Sequence, residues 1–256
     1  MKISIIGGGA MGTALASGLL LSNKISPADI SISNPHIKKL EHLAEKGINI
    51  FSSNIEAIKN ADLIIVAVKP WIVQSVISEL EGHIDFNKTD VCLIVAGIPS
   101  EDIRKMFKTG CPSNLSVSMP NTAMSVAQSM TFIVNICGNP QKTLDLFGLV
   151  GKVELIEETK LPAAMAIASC GIAYAMRYVR ASSLGAVELG IKASEAQEIV
   201  LQTLTGAISL LRQPGAHPES EIDKVTTPGG ITIKGLNTME LKGFSSAIIE
   251  GLKASK

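Results

Sequence analysis

The chain has 256 residues, room for one large domain or two modest ones. Apolar residues make up 46% and charged residues 18%, which excludes a disordered chain and implies a core of aliphatic side chains and alanine. Lys plus Arg and Asp plus Glu both total 23, so no basic field gathers nucleic acid or an anionic membrane, and any bound anion must be held by local geometry.

The opening run KISIIGGGAMGTALASGLLLS reads as a strand, a glycine turn and a helix. Between Lys2 and Lys24 there is no charge, and "ALAS" faintly resembles a signal cleavage site. Five glycines interrupt the stretch, however, and Ile3 to Ile6 is too short for a signal core or a membrane span. Gly7, Gly9 and Gly12 satisfy G-x-G-x-x-G with a strand before and a helix after, the context in which that spacing binds a dinucleotide. Gly7 permits the tight turn, Gly9 leaves the backbone bare for a pyrophosphate, and Gly12 lets the helix pack close. Ala10 and Met11 lie at the helix N-terminus, whose free N–H groups attract phosphate.

DISISN follows as a strand, PHIKKLEHLAEKG as an amphipathic helix from Pro35 to Gly47, and INIF as a third strand. SNIEAIKNA is a short helix capped by Ser53 or Asn54. DLIIVAV and VCLIVAG are buried strands on either side of a helix from Trp71 to Leu80, and NLSVSMPN and MTFIVN add two more. This alternation is a doubly wound α/β sheet. The second strand ends Ser33-Asn34, without the acidic residue that would bind a ribose 2′-OH, while His36, Lys38 and Lys39 follow closely. A neutral strand end beside basic groups favours NADP(H) over NAD(H). Ala67, Val68, Lys69 and Pro70 close the fourth strand at its carboxyl end, where ligands sit in such sheets, and Asn121 ends a later strand on the same edge.

After about Glu157 the strand signals vanish. The expected organisation is a dinucleotide-binding Rossmann domain over 1–157 and an all-α domain over 158–256. No charge falls between Lys160 and Arg177, and a helix apolar all round requires burial on every side. A second copy of the chain supplies that cover, so a homodimer through these helices is expected, or a higher oligomer built from it. ASEAQEIVLQTLTGAISLLRQ is a further helix capped by Ser194, and a short one runs near Pro218 to Val225. In DKVTTPGGITIKGL, Thr227 reads as an N-cap, Pro228 as the first helical residue, and Gly229 and Gly230 as a bare first turn able to hold a carboxylate, with the Thr232 hydroxyl beside it. The four cysteines and four histidines are dispersed, which predicts no metal site, no disulfide framework and a reducing, cytoplasmic setting.

The Asp223 to Thr232 run resembles the D-x-V-[TS]-[TS]-P-G-G-x-T signature of pyrroline-5-carboxylate reductases, and IIGGGAMGTALASGL, AVKP, VAGIP, MPNT, AYAM and HP fall in that family's order. The resemblance implies NAD(P)H-dependent reduction of a cyclic imine to proline, at a site formed between the cofactor and helices that include a partner's. Thr232 would hydrogen-bond the ring nitrogen as the catalytic residue. The Thr227 to Thr232 amides, including those of Gly229, Gly230 and Ile231, would hold the substrate carboxylate. Gly7 to Gly12, Asn34, Ala67 to Pro70 and Asn121 would line the cofactor. Four positions depart from the family's pattern: Cys170, Ile172, Ala123 and Gly215. These departures keep two rivals open, a related NADP-dependent imine or keto-acid reductase of the same architecture and an NADP(H)-binding sensor without turnover.

Overall fold

The computed structural model describes residues 1–256, and the chain divides into two compact units, 1–169 and 170–256. The first alternates β1 (Ile3–Ile6), α1 (Ala10–Ser22), β2 (Ile30–Ser33), α2 (Glu41–Ala44), β3 (Asn49–Phe51), α3 (Asn54–Ala57), β4 (Leu63–Val66), α4 (Val73–Leu80), β5 (Asp90–Leu93), α5 (Ser100–Lys105) and β6 (Leu115–Met119). It ends with β7 (Ser129–Cys137), α6 (Gln141–Gly148), β8 (Gly151–Leu155) and α7 (Leu161–Met165). The sequence reading has no counterpart for α5, α6 and β8.

All strands join one eight-stranded sheet in the order β3-β2-β1-β4-β5-β6-β7-β8. Strands β1 to β6 run parallel, β7 is antiparallel to β6, and β8 is parallel to β7. Each of β1, β4, β5 and β6 is buried along its whole length, as parallel strands covered by helices on both faces must be. Ile3, Ile5, Leu15, Leu19, Ile30 and Ile32 belong to the core on one face; Ile6, Ile64, Val66, Val73, Ile77 and Leu93 belong to the core on the other. The order reverses between β1 and β4, and the glycine turn leaves the sheet there, the crevice where doubly wound folds bind their ligands.

Two expected helices change form. The Pro35–Gly47 helix is a 3-10 turn over Ile37–Leu40 followed by the single turn of α2. The Asn34 Oδ1 accepts from the His36 N–H at 2.8 Å, which holds the first residues in a side-chain turn instead of a helix. The uncharged run after Lys160 is α7, then a π-turn over Ala166–Cys170, then α8 (Gly171–Glu188).

The second unit continues with α9 (Ala193–Leu211), α10 (Pro218–Val225), α11 (Ile231–Leu241) and α12 (Phe244–Ala254). Ser194 does not cap α9: the extended residue before the helix is Lys192, and no side chain bonds the first turn. Tyr178 and Phe244 meet edge to face at 6.5 Å, and the Tyr174 hydroxyl bonds Ser255, so α8 packs on α12. Within the unit only Ala196 is buried, while Leu189 is 86% exposed and Leu241 84%. The apolar stretch expected to be covered on every side is open in the protomer, with Ile167 and Met176 about two-thirds exposed. No helix is long and apolar enough to cross a membrane.

Candidate functional site

The first unit builds its candidate site from one close fit. The Gly7 and Gly8 N–H groups both donate to the Ser33 carbonyl, at 3.2 and 2.7 Å, fixing the turn to the end of β2. Gly7 has φ +107, and a Cβ there would lie 2.6 Å from the Ala67 carbonyl oxygen, so Ala67 and Val68 pack directly on the turn. A Cβ on Gly12 would lie 2.1 Å from the Gly7 carbonyl oxygen, so only glycine lets α1 start this close to the strand end. Gly9 is different. It is extended, with φ −85 and ψ −165, exposed, and a Cβ there meets nothing within 4 Å. Its space is kept for something other than protein.

Gly9 is the N-cap of α1 without a side-chain cap, and the helix's first turn has no acidic residue. The first helical amide to find a main-chain acceptor is Thr13, on the Gly9 carbonyl at 2.9 Å, which leaves the amides of Ala10, Met11 and Gly12 unpaired. Ala10 faces a cleft of about 530 Å³ lined also by Gly9, Thr13, Asn34, Lys39 and His42. Lys39 supplies a cationic group there, His42 an imidazole, and no carboxylate borders it. The donor set suits a diphosphate with a further phosphate nearby.

Asn34 and Ser33 take supporting places. The Asn34 amide donates to the Gly8 carbonyl at 2.8 Å, bracing the turn from beside the cleft. The Ser33 side chain is wholly buried and its hydroxyl donates to Asn54. Lys69 and Pro70 are exposed at the end of β4, next to Trp71, which is 77% exposed. Asn121 is 8% exposed, and its amide is engaged internally. Its Oδ1 accepts from Ala123, and its Nδ2 donates to the Ala168 carbonyl at 3.1 Å, tying the end of β6 to the π-turn. Such turns are often found at functional sites. Thr13 and His42 were not singled out in the sequence. Thr13 was findable, since it and Ser17 are hydroxyls four apart on an otherwise apolar helix.

In the second unit the Thr-Pro-Gly-Gly run is a turn, not the first turn of a helix. The Gly230 N–H donates to the Thr227 carbonyl at 2.9 Å, and Gly229 has φ +74. Proline followed by a positive-φ glycine is the type II pattern. Proline's fixed φ suits both a helix start and the second residue of this turn; the left-handed glycine decides between them. A Cβ on Gly230 would meet the Thr227 Oγ1 at 2.6 Å, so that position must also be bare.

The helix α11 therefore begins at Ile231, with extended Gly230 as N-cap, no side-chain cap and no acid in its first turn. The amides of Ile231, Thr232 and Ile233 precede the first possible helical partner and are open to an anion. The Thr232 hydroxyl is also free. Thr203, Thr205 and Thr238 each donate to a carbonyl four residues back, at 2.7 to 2.9 Å, but one turn earlier in α11 there is no helical carbonyl to receive Thr232. The structure thus brings Thr227, Gly229, Gly230, Ile231 and Thr232 together, and separately Gly7 to Gly12 with Asn34, Ala67 and Val68. Between α8 and α12 lies an apolar cleft of about 500 Å³ lined by Tyr174, Arg177, Tyr178, Phe244 and Ile248.

Comparison with known proteins places both units in one family. A family model described as "Pyrroline-5-carboxylate reductase dimerisation" matches residues 158–256, and one described as "NADP oxidoreductase coenzyme F420-dependent" matches residues 2–94. Pyrroline-5-carboxylate reductase 2 of Dictyostelium discoideum is 34% identical over 99% of this chain and 90% of its own. Among solved structures, a pyrroline-5-carboxylate reductase from Coxiella burnetii superposes with a TM-score of 0.87 at 27% identity, over 99% of this chain and 95% of that one. The Plasmodium falciparum pyrroline carboxylate reductase with NADP bound gives 0.86 at 25% identity, over 100% of this chain and 95% of that one.

Proposed function

This chain belongs to the pyrroline-5-carboxylate reductase family, and we propose on that footing that it reduces 1-pyrroline-5-carboxylate to L-proline with NADP(H), the last step of proline biosynthesis. The observation that carries the reading is the start of α11: three unpaired amides and an unpaired Thr232 hydroxyl behind a Pro-Gly-Gly turn. A small anion with a polar ring atom next to its carboxylate fits that donor set.

Each group has a task. The amides of Ile231 to Ile233 bind the carboxylate, Gly229 and Gly230 keep the approach clear of side chains, and Thr227 closes the turn that aims them. The Thr232 hydroxyl bonds the ring nitrogen and steadies the protonated imine, the form that accepts a hydride. In the other unit the amides of Ala10 to Gly12 bind the diphosphate, with Gly9 leaving room for it. Lys39 supplies charge for the 2′-phosphate, and the wall is made by Asn34, Ala67 to Pro70 and the Asn121 strand end. When bound, NADPH supplies the hydride. The chain's own part in catalysis is then positioning, which can contribute several kcal/mol, together with the donors that hold the ring.

The protein acts as a homodimer. Helices with a single buried residue cannot stand as a unit in water, and the exposed Leu189, Leu241, Ile248 and Ile249 need cover that a second copy provides. The test is NADPH oxidation with pyrroline-5-carboxylate, NADH and other imines in parallel, on wild type and Thr232→Ala. Thr232→Ala should lower kcat by about 10- to 100-fold, the cost of a lost hydrogen bond to a charged group, with NADPH affinity unchanged. Cofactor binding without turnover of any imine would overturn the reductase in favour of a sensor, the rival that Cys170 and Ile172 at the π-turn keep in view.

A further inference from the structure

We propose that Cys111 and Cys137 form a reversible intramolecular disulfide, a modification site that stands apart from the reductase chemistry. Twenty-six residues separate them in sequence, but β6 and β7 pair antiparallel with Leu115 opposite Cys137. The loop that enters β6 therefore lies beside the last residue of β7. The Sγ atoms are 2.7 Å apart, well inside the contact distance of two separate thiol sulfurs. All four cysteines are free thiols, and Cys111 is exposed.

The surrounding chain holds this pair in place from both sides. Gly138 has φ +66, and a Cβ there would lie 1.9 Å from the Ser113 carbonyl oxygen, so the two segments are in direct backbone contact. The Asn114 side chain accepts from the Asn139 N–H at 2.7 Å, and the Asn135 amide donates to the Gly138 carbonyl at 2.8 Å. A cross-link of about 2.05 Å between sulfurs needs little movement from this arrangement. The Arg104 guanidinium donates to the carbonyl of Ile136 and lowers the cost of a thiolate at Cys111. Desolvation and the hydrogen bond to Cys137 outweigh it and push the Cys111 thiol up to about 12, so under reducing conditions the pair rests as a hydrogen-bonded dithiol.

The oxidant is a low-molecular-weight disulfide such as oxidised glutathione. One cysteine thiolate attacks a glutathione sulfur, forming a mixed disulfide and releasing the first glutathione thiolate. The second cysteine then attacks the protein-bound sulfur, forming the Cys111–Cys137 bond and releasing the second. The glutathione disulfide is reduced to two thiols, which take up the two protons lost from the cysteines. The pair lies where β6 begins and β7 ends, at the end of the strands away from the glycine turn, so the bond ties down the 106–114 loop without reaching the cofactor cleft.

The test equilibrates the purified full-length protein with oxidised glutathione, followed by intact mass, peptide mapping after alkylation, thermal melting and NADPH titration. The expected product is two hydrogens lighter, carries a Cys111–Cys137 peptide pair, melts at a higher temperature and binds NADPH unchanged, and dithiothreitol restores the starting state. Cys111→Ser and Cys137→Ser, each lacking the resolving thiol, should instead retain one glutathione on the remaining cysteine. Wild type that accumulates stable mixed disulfides, cross-links between chains, pairs through Cys92 or Cys170, or keeps both thiols open to alkylation in excess oxidant would overturn the proposal.

Discussion

Gly9→Ala separates the ligand role of the glycine turn from its folding role. In the protein alone the added methyl meets nothing within 4 Å, and φ −85 with ψ −165 is open to any residue. The one cost to the fold is that alanine caps a helix less well than glycine, at most about 1 kcal/mol. For a chain of this size that lowers Tm by about 2–4 °C. With cofactor present the methyl occupies the space next to the unpaired amides of Ala10 and Met11. Losing one hydrogen bond to a charged phosphate costs about 1.5–3 kcal/mol, so Kd for NADPH should rise by about 10- to 100-fold. Gly12→Ala makes the contrast: its methyl would lie 2.1 Å from a backbone oxygen that cannot rotate away. Helix α1 must retreat, and an overpacked contact of this kind costs about 1–3 kcal/mol of stability. Fluorescence titration with NADPH and thermal melts on both variants read the two effects apart. Unchanged NADPH affinity in Gly9→Ala would refute the placement of the phosphates on this turn.

Three further outcomes follow from single residues. Gly229→Ala forces a side chain into φ +74, a left-handed conformation costing about 1–2 kcal/mol, so the turn before α11 loosens and KM for the imine should rise while NADPH affinity holds; an unaltered KM would count against the turn. Ser4, wholly buried in β1, is the one buried side chain whose polar atom finds no partner, and Ser4→Ala should raise stability by about 1 kcal/mol in a urea titration, a fall showing that the hydroxyl is satisfied. Burial pushes the Cys92 thiol up to about 11 despite its hydrogen bond to Ser118 and the hydroxyls of Ser116 and Thr143. Above about pH 9 the unfolded chain loses this proton first, so stability declines from there until the folded thiol also ionises near pH 11. Chemical denaturation from pH 8 to 11 should show the gap between wild type and Cys92→Ala narrowing over that window, and a constant gap would contradict the shift.

The parts of the fold that were legible in the sequence are those written in local chemistry. The glycine turn announces itself through spacing, and β4 and β5 through unbroken apolar runs. Strand β8 escaped because GKVEL is half open to solvent, with Lys152 and Glu154 alternating into it, so it lacks a buried strand's apolar run. The contact of Asn121 with Ala168 and that of Cys111 with Cys137 join residues 47 and 26 apart. Contacts of that range come from how the elements pack and pair in the fold, which no short window contains. The sequence reading starts the last signature helix at Pro228 with Thr227 as its cap; α11 begins three residues later, since proline and glycine serve a turn as readily as a first helical turn.

The starts of α1 and α11 share a construction that, on the proposed reading, lets a chain of zero net charge hold two anions. Both have an extended glycine as N-cap, no capping side chain and no acidic residue in the first turn. A serine, threonine or aspartate cap would stabilise the isolated helix by about 0.5–2 kcal/mol, but by occupying an amide the ligand needs. Helix α5 shows the opposite arrangement, with Glu101 and Asp102 in its first turn answering the helix's own positive end. Helix α12 also follows a glycine, yet Gly243 is left-handed at φ +83 and stands two residues after α11 ends, a link between helices and not an opening. An extended glycine as N-cap sets these two starts apart from α4 and α6, which also lack a side-chain cap and a first-turn acid. On the proposed reductase reading a phosphate and a carboxylate complete the two glycine caps.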